Sequence, residues 1–302
     1  MNPKISELQK ALEAASYVAD EKTAMSAFLA LELGKPLLVE GPPGAGKTEL
    51  AYALGRVLQK PVERLQCYEG LDEARALYEW DYGKQILFTQ LLRDVVQTKI
   101  AEASSIAGAI QTLAPDASAL FSERFLLARP ILRALMHPSG SVLLIDEVDR
   151  SDPEFEAFLL EVLSEYQVTI PELGTVRAVT KPVVILTSNA AREMTDALRR
   201  RCLFLSLDYP TPSREIAIIQ RHVPEAAQAL TEQLIDFASR VRQLELDKTP
   251  SISEVIDWAR AIITLGANTL DRDIAEATLG VLLKHTGDQA VVTEKMGRII
   301  SS

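Results

Sequence analysis

Two hydrophobic periods alternate along the first two thirds of this chain, and only one of them continues afterwards. Short apolar runs flanked by polar residues, "KPLLVE", "PVERLQCYE", "SVLLIDE", "KPVVILTSN" and "CLFLSLDY", predict five strands. Between and before them lie stretches with helical spacing, among them "ISELQKALEAA", "EKTAMSAFLALEL" and "ELAYALGRVLQ". Alternation of this kind predicts an α/β domain on a parallel sheet of five strands. After "YPTPSRE" the strand-like runs stop. Four amphipathic patterns follow, "SREIAIIQRHV", "EAAQALTEQLIDFASRVRQ", "SISEVIDWARAIITL" and "RDIAEATLGVLLKHT". The expected division is therefore an α/β core over residues 1–209 and an all-helical domain over residues 210–302.

The first strand runs straight into "GPPGAGKT", Gly41 to Thr48, with Gly41 and Gly46-Lys47-Thr48 at the spacing of a phosphate-binding loop. Glycines let successive N–H groups turn toward one polyphosphate, and the helix that follows presents its N-terminus to the same charge. Gly41, Pro42, Pro43, Gly44, Ala45, Gly46, Lys47, Thr48 and Glu49 are the candidate nucleotide-binding residues. Lys47 is expected on the β- and γ-phosphates and the Thr48 hydroxyl on Mg²⁺. The buried run "SVLLIDE" delivers two carboxylates to a strand end. Asp146 is expected to hold Mg²⁺ through its water shell, and Glu147 to act as general base on the attacking water. Arg150 has two readings, a contact to a neighbouring subunit or an exposed helix start, and Asp149 is equally open. Asn189, ending "VVILTSN", is expected to orient that water and sense the γ-phosphate. ATP and Mg²⁺ are the implied cofactors, since no Asn-Lys-x-Asp pattern for guanine occurs.

Composition narrows the partners. The net charge of −10 is spread over the chain, with 10 Lys and Arg against 13 Asp and Glu from Pro210 onward. A binder of duplex DNA needs a basic footprint; Arg199-Arg200-Arg201 is the longest basic run, so nucleic acid is disfavoured. The start "MNPKISELQKALEAA" lacks the apolar core of a signal peptide, and no 18-residue apolar stretch follows. Two distant cysteines, Cys67 and Cys202, argue for reduced thiols. Together these lead to the expectation of a cytoplasmic protein with no integral membrane segment.

Taken in order, the phosphate loop, the acidic strand end, Asn189, the "ALRRRC" segment and the helical C-terminal part resemble an AAA+ ATPase of the P-loop NTPase class. The run "DEVDRSDPEFEAFLLEVLSEYQVTIPELG" is similar to that of the MoxR family. Within it, "ALYEWDYGKQIL" and "SISEVIDWARA" resemble the CoxD type, accessory to maturation of carbon monoxide dehydrogenase. The resemblance implies a homo-hexameric ring and a helical lid over residues 210–302. It also implies a metalloenzyme client and a partner with a von Willebrand factor A domain. A nucleic-acid motor is the alternative within AAA+. An arginine finger precedes the fifth strand in the family, which points to Arg201, then Arg200, acting on a neighbour's nucleotide. The chain departs from the family where a sensor-2 arginine is usual, with Ser253 and Glu254 there instead. Two hairpins are further expectations. One carries Tyr78, Trp80 and Tyr82 around Gly83, its aromatics either meeting a client or packing within the hairpin or between subunits, and the other is "YQVTIPELGTVRAV".

Overall fold

The structure is a computed structural model, and it describes residues 2–93, 97, 120–171 and 173–300. Nine strands occur among them: β1 (Leu37–Glu40), β2 (Val62–Gln66), β3 (Tyr78–Trp80), β4 (Leu126–Ala128), β5 (Val142–Asp146), β6 (Gln167–Ile170), β7 (Gly174–Arg177), β8 (Val183–Ser188) and β9 (Leu203–Ser206). Five of these form one parallel sheet in the order β2-β5-β8-β1-β9. They are the five predicted from apolar runs. β5 shows why that pattern is legible: all five of its residues are buried, so neither face of the strand meets water. Its register sets Gln66 of β2 opposite Asp146.

The chain divides into two compact units, residues 1–29, 39–57 and 205–302 in the first, residues 30–38 and 58–204 in the second. In the first, helices Pro212–His222, Gln228–Arg242, Ile252–Thr264, Arg272–Leu282 and Thr286–Ile300 gather around a core that includes Phe237, Trp258, Leu279 and Met296. The last of these helices lies beyond the four expected. Gly287 and Gly297, weak helix formers, are within it. Helix Ile252–Thr264 opens on a capping box, in which the Ser251 backbone N–H donates to Glu254 Oε2 at 2.7 Å.

In the second unit the core runs from Leu65 through Leu135, Leu143 and Leu159 to Leu198, under the helices Pro130–Met136 and Pro153–Glu165. The hairpin expected at "YQVTIPELGTVRAV" is present, with β6 and β7 antiparallel; residue 172, between them, lies outside the described residues. The hairpin expected around Gly83 is not. After Trp80 the Asp81 carboxylate accepts the Lys84 N–H at 2.9 Å and starts a helix, Tyr82–Leu91, so the chain cannot fold back there. β3 pairs instead with β4, Trp80 opposite Leu126. Trp80 is also not exposed: it is buried, with its ring edge-on to those of Tyr78 and Phe121. Of the three aromatics, Tyr82 alone is largely exposed.

Candidate nucleotide site

In the first unit the loop after β1 leads into helix Lys47–Leu58. Gly44 and Gly46 adopt φ +79° and +87°, which L side chains rarely take. Gly41 is held for another reason: a Cβ there would stand 2.2 Å from the Leu207 carbonyl oxygen. Lys47 is buried, and its Nζ donates to the carbonyls of Gly41 at 2.7 Å and Pro42 at 2.8 Å. The ammonium thus lies across the loop, at the N-terminal end of that helix, where the helix dipole favours an anion. Curled backbone, lysine and helix N-terminus fit a polyphosphate. Glu49 faces the adjoining cavity and pairs with Arg56 at 2.5 Å.

That cavity, of about 170 Å³, is bounded by the loop glycines and by residues the sequence did not single out. Tyr17, Val18, Ile218 and Ile256 supply apolar walls, and Arg214 and His222 the polar ones. Arg214 is oriented by the Val18 carbonyl at 2.7 Å and by Asp20 at 3.1 Å. Burial pushes the Tyr17 hydroxyl pKa up, against the pull of the Arg214 charge. At the position where a sensor-2 arginine is lacking, Ser253 lines the cavity while Glu254 closes the capping box. Arg260 is exposed and paired with Asp257, and the arginine lining this cavity comes from helix Pro212–His222.

In the second unit the acidic strand end is held from three sides. Asp146 is buried; its Oδ1 accepts the Thr187 hydroxyl at 2.5 Å, and its Oδ2 takes Arg64 Nη2 at 2.6 Å. Glu147 has φ +54°, and its N–H donates to the same Thr187 oxygen at 2.9 Å. That turn aims the side chain at three donors: Gln66 Nε2 at 3.0 Å, Asn189 Nδ2 at 3.3 Å and Arg150 Nη1 at 3.4 Å. The structure therefore brings Glu147 and Asn189 together. Cys67 lies beside this cluster; burial, then the charges of Asp146, Asp149 and Glu147, push its thiol up to about 12. Among the described residues no group of His, Cys, Asp and Glu forms a protein-only metal cluster, and no helix is long and apolar enough to cross a membrane.

Arg64, Gln66 and Thr187 are what sequence reading missed. The signal for the first two was period two in "VERLQ": Leu65 enters the core, while Arg64 and Gln66 share the other face. Asp149, open between roles, proves to be buried. Arg199, Arg200 and Arg201 end helix Asp196–Arg201 and are exposed; Arg199 lies over the Phe204 ring, and Arg201 donates to the Leu160 carbonyl at 3.3 Å.

A family model described as an AAA domain (dynein-related subfamily) matches residues 36–202. The gas vesicle ATPase GvpN1 of Halobacterium salinarum is 26% identical over 282 residues, 90% of this chain and 69% of that protein. An uncharacterized protein of Staphylococcus haemolyticus is 26% identical over 253 residues, 82% of each chain. Among solved structures, a point mutant of Thermotoga maritima RuvB aligns at a TM-score of 0.47 with 18% identity, covering 92% of this chain and 70% of that one.

Proposed function

We propose that this chain, which belongs to the AAA domain family of the dynein-related subfamily, hydrolyses Mg²⁺-ATP and uses the cycle to remodel a protein client. The residues carry distinct parts of that task. Backbone N–H groups of Gly44 and Gly46 and the Lys47 ammonium bind phosphate oxygens. Thr48 would hold Mg²⁺ by its hydroxyl and Asp146 through the ion's water shell, and the ion would supply charge neutralisation on the phosphates. Glu147 takes the proton of the attacking water, and Asn189 keeps its carboxylate aimed. Arg201, with Arg200 second, serves the nucleotide of a neighbouring subunit in a homo-oligomeric ring, hexameric by analogy.

One observation supports hydrolysis above the rest. The carboxylate of Glu147 does not point freely into solvent but is held by two amides, Gln66 and Asn189. A general base needs that kind of fixed aim on its water.

The finer reading places the chain with MoxR-type ATPases, on the CoxD side, acting with a von Willebrand factor A partner on a metalloenzyme undergoing maturation. Its support is the resemblance of residues 76–87, 146–174 and 251–261. A protein client rather than nucleic acid is favoured by helix Tyr82–Leu91. Its buried position is Gln85, while Tyr82, Ile86, Leu87 and Leu91 are exposed. Apolar side chains turned outward with a polar one inward suit a protein surface and contribute nothing toward a phosphate backbone. The test is turnover by the purified protein with a purified von Willebrand factor A protein, with its client, and with duplex DNA. Stimulation by protein supports the reading. Stimulation by DNA alone refutes it.

A further inference from the structure

Sequence left the role of Asp149 open. Its surroundings decide that it is neither exposed nor merely adjacent. The 3₁₀ turn Val148–Arg150 follows directly on the acidic strand end, and it carries Asp149 inward, 4% exposed. There Oδ2 accepts two backbone N–H groups from the loop after β8, Asn189 at 3.1 Å and Ala191 at 2.9 Å. Oδ1 is buried and has no hydrogen-bond partner among the described residues. The carboxylate therefore directs all its hydrogen bonding at the backbone that bears Asn189. Between the two donors, Ala190 sits at φ +57°, a conformation that costs about 1 kcal/mol for a residue with a Cβ and needs an outside constraint.

The consequence reaches the proposed base. Asn189 Nδ2 meets Glu147 Oε1 at 3.3 Å, a long contact that a small drift of the loop would break. Bonds from N–H to a charged acceptor are stronger than neutral ones, and two converging on one oxygen fix both position and tilt of residues 189–191. Further along, a second buried carboxylate continues the same tie. Glu156 accepts from Arg192 and from the Thr195 N–H at 2.8 Å, and Arg192 also donates to the Ser151 carbonyl at 2.7 Å. The segment just after the acidic strand end thus grips the loop at Asn189 and again where helix Asp196–Arg201 begins.

We propose that Asp149 is a positioning residue for hydrolysis: it holds the backbone of residues 189–191 so that the Asn189 amide stays on Glu147. It acts through Asn189 and touches no reacting atom, and it rests on the reading of Glu147 and Asn189 given above. That dependence sets the experiment. Steady-state turnover, equilibrium binding of a fluorescent ATP analogue and thermal unfolding are compared for Asp149→Ala, Asp149→Asn, Asn189→Ala and the Asp149→Ala/Asn189→Ala pair. Asp149→Ala is expected to lower kcat at least tenfold with nucleotide affinity within threefold of the parent. Asp149→Asn recovers most of it, because its carbonyl oxygen accepts the same two N–H groups. The double variant turns over no more than twofold slower than Asn189→Ala alone, since a residue acting through Asn189 has nothing left to position.

Should Asp149→Ala not fold, Asp149→Ser replaces it in the same cycle, its hydroxyl being too short to reach both donors. Losses that multiply in the double variant overturn the proposal, as does parental kcat in Asp149→Ala. Parental turnover by Glu147→Gln would remove its premise instead, and that outcome is read with Asp149 intact.

Discussion

Gly41→Ala isolates what the phosphate loop requires of its first glycine. Gly41 is not at positive φ, so alanine meets no backbone penalty there; the conflict is contact alone. The new Cβ would stand 2.2 Å from the Leu207 carbonyl oxygen, where ordinary contact begins near 3.4 Å, so about 1.2 Å of separation must be found. No flexible side-chain end can yield, because the obstacle is backbone whose N–H is bonded to the Glu40 carbonyl at 2.8 Å. Overpacking costs about 1–3 kcal/mol, and backbone on both sides places this site toward about 3. At roughly 2–4 °C per kcal/mol, unfolding should move down by about 6–12 °C. The same shift displaces the Gly41 and Pro42 carbonyls that anchor Lys47, so ATP affinity should fall about tenfold or more, as misplacing a binding group by 1 Å does. Gly34→Ala is the control: φ +59° with nothing within 4 Å of its Cβ. It should lose about 1 kcal/mol to backbone strain and bind ATP like the parent. Calorimetry and titration with a fluorescent ATP analogue read both. Parental stability and affinity in Gly41→Ala would refute the steric argument.

Glu147→Gln should bind ATP as the parent does while turnover falls about 10²–10⁴-fold, the contribution of a general base; Lys47→Ala should instead lose affinity, seen by titration. Arg201→Ala should bind ATP yet hydrolyse it poorly, and mixing it with Glu147→Gln should restore part of the turnover, because a mixed interface pairs an intact base with an intact arginine. Absence of rescue in mixtures shown to exchange subunits excludes a finger acting between subunits. Trp80→Ala should cost about 3–5 kcal/mol as a buried aromatic truncation, measured by denaturant unfolding, in place of a purely partner-binding defect. Cys67 and Cys202, both pushed up to about 12, chiefly by burial, should resist a disulfide reagent at pH 8 until the protein is unfolded. Their raised folded pKa values also give the sign of a pH effect. The stability tied to the two protonated thiols is whole below the unfolded value of about 8.5 and is lost as pH rises from there toward 12.

What the sequence made legible and what it hid separate along one physical line, the range of the interaction that decides the structure. The sheet strands were readable because burial on both faces writes itself as a local apolar run, as in β5. The loop was readable because its chemistry lies within eight consecutive residues. The hairpin around Gly83 was misread for two reasons, a local cap and a distant strand partner. "YEWDYG" alternates like a strand and a turn, but a local donor, the Lys84 N–H, engages Asp81 and commits the chain to a helix, leaving β3 to find β4 far along the sequence. Trp80 follows from that pairing: its burial depends on Phe121, which no local pattern around residue 80 reveals.

The same line runs through the site itself. Asp146, Glu147 and Asn189 were named because strand ends place them, whereas the groups that aim them were not. Arg64 and Gln66 read as the wet face of a strand, and Thr187 as one polar break in an apolar run. Asp149 reads as one charge among several in "DEVDRSD", yet of the charges beyond the strand end it is the buried one, in the 3₁₀ turn that follows the left-handed backbone at Glu147. A sequence states which side chains do chemistry more readily than which ones hold them in place. The aim of Glu147 is set by residues on β2, on β8 and in the loop beyond β8, whose contact with it exists only after folding. It follows that substitutions at Gln66 and Asp149 should be read as tests of aim. Gln66→Ala removes one of the two amides on Glu147 and leaves the Asn189 contact. It should therefore lower kcat less than Asn189→Ala lowers it in Gln66→Ala protein, with nucleotide affinity unchanged in both. Equal, independent losses would mean that the amides act on something other than the shared carboxylate.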